Sequence, residues 1–218
     1  MQKPRICGVI TTADPAIIYE ISEVVDLFEL RLDLIGKNWS ELPALLNRPW
    51  IATCRLKSEG GSWNENEKKR KEELLKAMKC GAAMIDLELA TPDLDNLVPL
   101  FKKRVKIIIS HHNYEITPPG SELKHIIEQQ FNAGADIAKV ATLAISMDDN
   151  LKMLDLAGEF PNRDVVAINI GEKGIFSRIL APLAGSAFTY ASAKQGLESA
   201  EGQISASELK QIYSRLKL

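Results

Sequence analysis

Cysteine is scarce in this chain, which has only Cys7, Cys54 and Cys80. An odd number, far apart and outside any metal-ligand spacing, argues against a disulfide framework or a zinc site and fits a reducing cytosol. Surplus charge is also missing. A net charge of −2 argues against a dominant surface for nucleic acid or anionic membranes. The dense basic run at Lys68–Lys71 is ringed by Glu65, Glu67, Glu72 and Glu73 and reads as a solvated helix face. No apolar run is long enough to span a bilayer. Met1-Gln2-Lys3-Pro4 leads straight into a strand-like segment rather than a secretory apolar region. No G-x-G-x-x-G follows a strand, and no low-complexity linker divides the chain. These absences lead to an expectation of a soluble, cytoplasmic protein with one domain over residues 1–218.

What is present is alternation. Strands are expected at Arg5–Ile10, Leu27–Leu34, Trp50–Arg55, Ala83–Leu89, Val105–Ser110, Asp136–Thr142, Asp164–Ile170 and Ser186–Tyr190, each followed by a helical pattern. Trp39–Leu46 reads as one such helix, and Asn64–Lys79 as another, with Asn64 and Glu67 resembling a capping box. Gly81 and Gly134 supply helix stops. Eight strand–helix units predict an α/β fold, a closed (β/α)8 TIM barrel, with an open doubly wound sheet as the alternative.

In a barrel, chemistry gathers at the C-terminal strand ends, and here those ends are polar. Lys139 interrupts an otherwise buried strand. Two readings fit it: a side chain snorkelling to solvent, or a desolvated, neutral amine that attacks carbonyl compounds. Glu29, Arg31 and Asp33 alternate with Leu30, Leu32 and Leu34, which turns the charged set inward. Glu29 and Arg31 also fit an ordinary ion pair. Arg55 ends the third strand, and Asp86 and Glu88 share a face of the fourth. Those two carboxylates with a histidine would suit a divalent metal, but adjacent His111 and His112 point opposite ways on an extended chain. His125 reads as a surface residue. Arg178 follows the seventh strand, and Gln203 lies after the eighth.

Taken together, Glu29-Leu-Arg31-Leu-Asp33, Thr53-Cys-Arg55 with Glu59-Gly60-Gly61, Ile85-Asp86-Leu-Glu88, Ser110-His-His112-Asn113-Tyr114, Ala135 to Thr142 around Lys139, Gly171 to Arg178 and Gly202-Gln203-Ile-Ser205 resemble the type I 3-dehydroquinate dehydratases of the shikimate pathway. The similarity covers nearly the whole chain. It implies dehydration of 3-dehydroquinate through a Schiff base on Lys139, with His112 as general base and acid and Glu88 orienting its imidazole. It further implies that Arg178 pairs with the substrate carboxylate, that Ser199 and Gln203 close over it, and that Glu29, Arg31 and Arg55 hold the rest of the ligand. It implies no metal, no dissociable cofactor and a homodimer. Gly196–Gly202 reads as a mobile lid. Asn113-Tyr114, Ile168, Ile170 and Glu201 depart from the usual pattern, and Glu201 puts a carboxylate on the lid of an anion site. A class I aldolase on the same barrel and a non-catalytic binder of carboxylated rings are the rival readings.

Overall fold

The computed structural model describes residues 3–218; Met1 and Gln2, part of the stretch read above as non-secretory, lie outside the described residues. Eight parallel strands form one sheet: β1 (Ile6–Ile10), β2 (Leu27–Arg31), β3 (Trp50–Thr53), β4 (Met84–Glu88), β5 (Lys106–Asn113), β6 (Ile137–Leu143), β7 (Asp164–Ile170) and β8 (Thr189–Ser192). Their order is 7-6-5-4-3-2-1-8. Because the last strand, β8, pairs with the first, β1, and comes round to β7, the sheet curls into a nearly closed (β/α)8 barrel, and the open-sheet alternative is excluded. A backbone bond from Ala187 N to the Val165 carbonyl (2.8 Å) crosses the remaining seam between β7 and β8.

Helices α1 (Pro15–Ile21), α2 (Leu32–Ile35), α3 (Glu67–Lys79), α4 (Leu94–Lys102), α5 (Gly120–Asn132), α6 (Met147–Gly158) and α7 (Ile175–Ala184) connect the strands, and α8 (Ala206–Arg215) follows β8. The two-residue period of each strand sorts its side chains. Leu30, Ala52, Ile85, Leu87, Ile107 and Ile109 pack outward against helices. Val9, Leu27, Ile51, Met84, Ile108 and Val166 fill the barrel interior. That interior layer is the floor on which the polar mouth rests. Among the described residues no helix is long and apolar enough to cross a membrane.

Several boundaries differ from the pattern reading, each for a local reason. The second strand stops at Arg31, where the chain turns into α2 and Asp33 folds back to chelate Arg31 (Nε–Oδ1 3.0 Å, Nη2–Oδ2 2.7 Å). The expected Trp39–Leu46 helix is instead two 3-10 turns, Gly36–Glu41 and Pro43–Leu45, since Pro43 cannot continue the hydrogen-bond ladder. The N-cap of α3 is Asn66, two residues later than expected, with its side chain accepting from Lys69 N. The fifth strand runs on through Asn113, which places His112 on the strand itself. Pairing with β1 fixes the eighth strand at Thr189–Ser192, while Ser186 Oγ is used to cap the Ala167 N–H.

Candidate active site

At the C-terminal end of the barrel, one cavity encloses about 430 Å³ including its open mouth. Glu29, Arg31, Arg55, His112, Lys139, Arg178, Ser199 and Gln203 all line it, with Tyr114, Ile168, Ile170 and Tyr190 completing the wall. Lys139 rises from mid-β6, one strand from His112 on β5, and is 5% exposed. The snorkelling alternative is therefore excluded. Its Nζ donates to Asp86 Oδ2 (3.1 Å) and sits 4.3 Å from the Tyr190 ring centre.

Asp86 is the anchor of the polar layer. Besides the lysine it accepts from Ser110 Oγ (2.6 Å) and pairs with Arg55 Nη2 (2.8 Å). Burial opposes its ionisation, but Arg55 and Lys139 outweigh that and hold its carboxyl well below the usual range. Ile168 and Ile170 keep the wall around the amine dry. Among the described residues no three His, Cys, Asp or Glu side chains form a metal-holding group. Asp86 and Glu88 are each held by cationic side chains instead.

Glu88 does not orient His112. One of its oxygens accepts from Arg55 Nη1 (2.9 Å) and Leu56 N (3.1 Å), and the other from Arg70 Nη1 (2.6 Å). Two guanidiniums attract that carboxylate more strongly than a neutral imidazole does. The carboxylate on the histidine is Glu59, whose Oε2 lies 2.8 Å from His112 Nδ1 and also accepts the His112 backbone N–H (3.1 Å). Glu59 ends a 3-10 turn after β3, where no periodicity marks it; the signal was the Glu59-Gly60 pair a few residues beyond Arg55. Gly60 is left-handed (φ 76°), and a Cβ there would collide with the Tyr114 hydroxyl, so the glycine lets Tyr114 cover the turn. The Tyr114 and His112 rings stack at 6.4 Å.

This enclosure tunes both groups. Burial pushes Glu59 up to about 7, with the Glu88 and Asp86 charges adding to it, against the pull of Arg55 and the His112 N–H. Burial, Arg55 and Lys139 together hold His112 well below its ordinary value, so the imidazole is neutral near pH 7. Burial also lowers Arg178 to about 10; its Nε and Nη1 are buried without a hydrogen-bond partner among the described residues. Such an unpaired guanidinium facing a cavity awaits an anion.

The residues 196–202 lie docked over the mouth. Gln203 and Ser199 bond each other (Ser199 N to Gln203 Oε1, 2.9 Å), and Gly171 N donates to the Glu201 carbonyl (3.0 Å). The Glu201 side chain is exposed and does not line the cavity, so the lid contributes its backbone here and keeps its carboxylate outside.

A family model described as type I 3-dehydroquinase matches residues 9–218. The chain belongs to the type I 3-dehydroquinase family. It is 45% identical over 213 residues to the 3-dehydroquinate dehydratase of Dehalococcoides mccartyi strain BAV1, covering 98% of this chain and 96% of that protein. Among solved structures, the Geobacillus kaustophilus 3-dehydroquinate dehydratase superposes with a TM-score of 0.88 at 26% identity, covering 99% and 92% of the two chains. The type I enzyme of Clostridium difficile gives 0.86 at 28% identity, with 99% and 93% covered. The chain's activity is accordingly that of a hydro-lyase acting on 3-dehydroquinate, which sets aside the aldolase and the silent binder. Of the positions singled out above, Tyr114, Ile168 and Ile170 line the cavity, while Asn113 and Glu201 do not.

Proposed function

We propose that dehydration to 3-dehydroshikimate runs through an imine on Lys139. The observation that carries this reading is one cavity holding a buried amine, a neutral imidazole and an unpaired guanidinium. Arg178 takes the substrate carboxylate in a planar, two-donor contact, with Ser199 and Gln203 closing from the lid. The Lys139 amine adds to the ring ketone, and loss of water leaves an iminium that acidifies the neighbouring C2 hydrogen. His112 removes that proton, and its protonated form then gives it to the departing C1 hydroxyl. Water hydrolyses the product iminium, returning the amine and releasing 3-dehydroshikimate. Glu59, as the carboxylate on Nδ1, holds the imidazole so that Nε2 is the working nitrogen. Glu29, Arg31 and Arg55 set the polarity around the remaining hydroxyls. No step draws on a metal or dissociable cofactor.

The chain acts on a small molecule, as one catalytic domain over residues 1–218, in the cytoplasm and as a homodimer. Unpaired Cys7, Cys54 and Cys80 support a reducing compartment. Exposed Ile145, Met147, Leu151 and Phe176, gathered where the loops leaving β6 and β7 meet, support a self-association face that sedimentation would detect. Borohydride reduction in the presence of 3-dehydroquinate, read by peptide mass spectrometry, tests the chemistry. A ligand-sized mass gain on the Lys139 peptide is expected; substrate consumed with no adduct anywhere would overturn the imine.

A further inference from the structure

A second layer of charge stands behind the cavity. Arg70 on α3 is fully buried, although Lys68 and Lys69 beside it face solvent, which corrects the reading of this whole run as a solvated face. Its Nη1 donates to Glu88 Oε2 (2.6 Å) and the Cys54 carbonyl (3.2 Å), its Nη2 to Thr91 Oγ1 (3.0 Å), and its Nε to Glu67 (2.9 Å). The other oxygen of Glu88 accepts from Arg55, and Arg55 reaches Asp86, which accepts from Lys139. Charges therefore alternate along one buried line from helix α3 to the amine: Arg70, Glu88, Arg55, Asp86, Lys139.

A buried arginine at a site an apolar residue could fill is weak evidence for stability by itself, because desolvation offsets much of its attraction. Its value lies in what it does to its neighbours. We infer that Arg70 is a positioning residue for the reaction: by neutralising Glu88 it leaves Arg55 to hold Asp86, and so keeps Asp86 from retaining a proton on Lys139. The titratable groups around the amine are Asp86, Arg55, His112, Glu29, Cys7 and Tyr190, with Arg31, Tyr114 and Arg178 farther along the same cavity wall. Of these, Arg55 is the one hydrogen-bonded to Glu88, so the influence of Arg70 reaches the lysine by that route. The inference rests on Lys139 being the reacting amine.

The test follows borohydride trapping of 3-dehydroquinate on the full chain as a function of pH, with the wild-type midpoint as reference. Arg70→Met leaves the Glu88 charge drawing on Arg55, and the midpoint moves to higher pH. Trapping at neutral pH then falls about tenfold for each pH unit moved and recovers in alkaline buffer. Glu88→Gln moves the midpoint the other way. The double variant Arg70→Met/Glu88→Leu removes both charges, leaves neither orphaned, and returns the midpoint to wild type. Should Arg70→Met not fold, Glu88→Gln and the double variant decide the question between them. Variants that trap more slowly but at the wild-type midpoint would show a merely structural role and overturn the inference. A wild-type protein that forms no adduct at all would instead sink the lysine reading, and the inference with it.

Discussion

Lys139 and His112 divide the proposed chemistry between a nucleophile that must be neutral and a base that must be neutral, in the same buried space. Burial and the Arg55 guanidinium meet the condition on the base, since they hold the imidazole below its ordinary value. Removing the amine tests the nucleophile's part most directly. Lys139→Ala leaves a small residue that a barrel strand accommodates, so the protein should fold, form no borohydride adduct and lose turnover by about 10⁴-fold or more. The Glu59–His112 contact sets a second condition. Because the two lie 2.8 Å apart, the state of the carboxyl decides the hydrogen bond at Nδ1. With Glu59 raised to about 7, kcat/KM should fall as pH drops through that value, since protonated Glu59 no longer accepts from Nδ1–H. Glu59→Gln should flatten this acidic limb and lower kcat; a profile unchanged from wild type would remove Glu59 from the mechanism. The lysine was legible from sequence because a charged residue interrupts a buried strand, whereas His112 lay beyond the expected end of the fifth strand and was told from His111 by the family resemblance. The histidine's carboxylate was not legible. Glu88 shares the inward parity of Asp86, but choosing between Glu88 and Glu59 depends on which cations compete for each, and Arg70, the deciding competitor, sits on a helix whose pattern reads as solvent-facing.

Among elements, β5 and the lid carry the functional geometry. Extension of β5 to Asn113 aligns His112 with Ala141 and Ser110 with Lys139, so the imidazole and the amine are set two residues apart in register by backbone hydrogen bonds alone. Strand identity and order were readable from the alternation of apolar runs and turns. Ends were not, because they depend on tertiary bonds such as Arg31–Asp33 and the β8–β1 pairing. The lid is held differently, at a few backbone points. Gly202 adopts φ 79° and packs so tightly on Gly171 that a Cβ would collide with its carbonyl oxygen. Gly202→Ala therefore strains the left-handed backbone and pushes the segment off the mouth. Gln203 and Ser199 should lose their hold on the bound carboxylate, raising KM by roughly tenfold with a smaller change in kcat. Steady-state kinetics beside a thermal melt would separate this from unfolding; an unchanged KM would mean that the docked lid makes no contribution to binding.

At the scale of the whole molecule, the same buried carboxylates tie stability to pH in opposite senses. Asp86 is depressed below its ordinary 3.8, so its contribution to folding is present above that value and disappears as pH falls through its folded-state value. Glu59 is raised from 4.5 to about 7, so its contribution is present below 4.5 and is lost as pH rises through about 7. The fold is thus weakened at alkaline pH by a group that the proposed mechanism needs ionised. The rise in Glu59 corresponds to roughly 3 kcal/mol at most. Glutamine has the shape of the neutral acid, can still accept the His112 N–H, and cannot ionise. Glu59→Gln should therefore melt about 5–10 °C above wild type at pH 8, for a protein of this length. At pH 4.5, where the wild-type carboxyl is itself neutral in the fold, the two proteins should melt together. Stability gained at pH 8 together with activity lost would identify Glu59 as a site where function is kept at the expense of the fold. A variant no more stable than wild type at pH 8 would mean that solvent reaches the Glu59 carboxylate and that Tyr114 and Gly60 do not seal it.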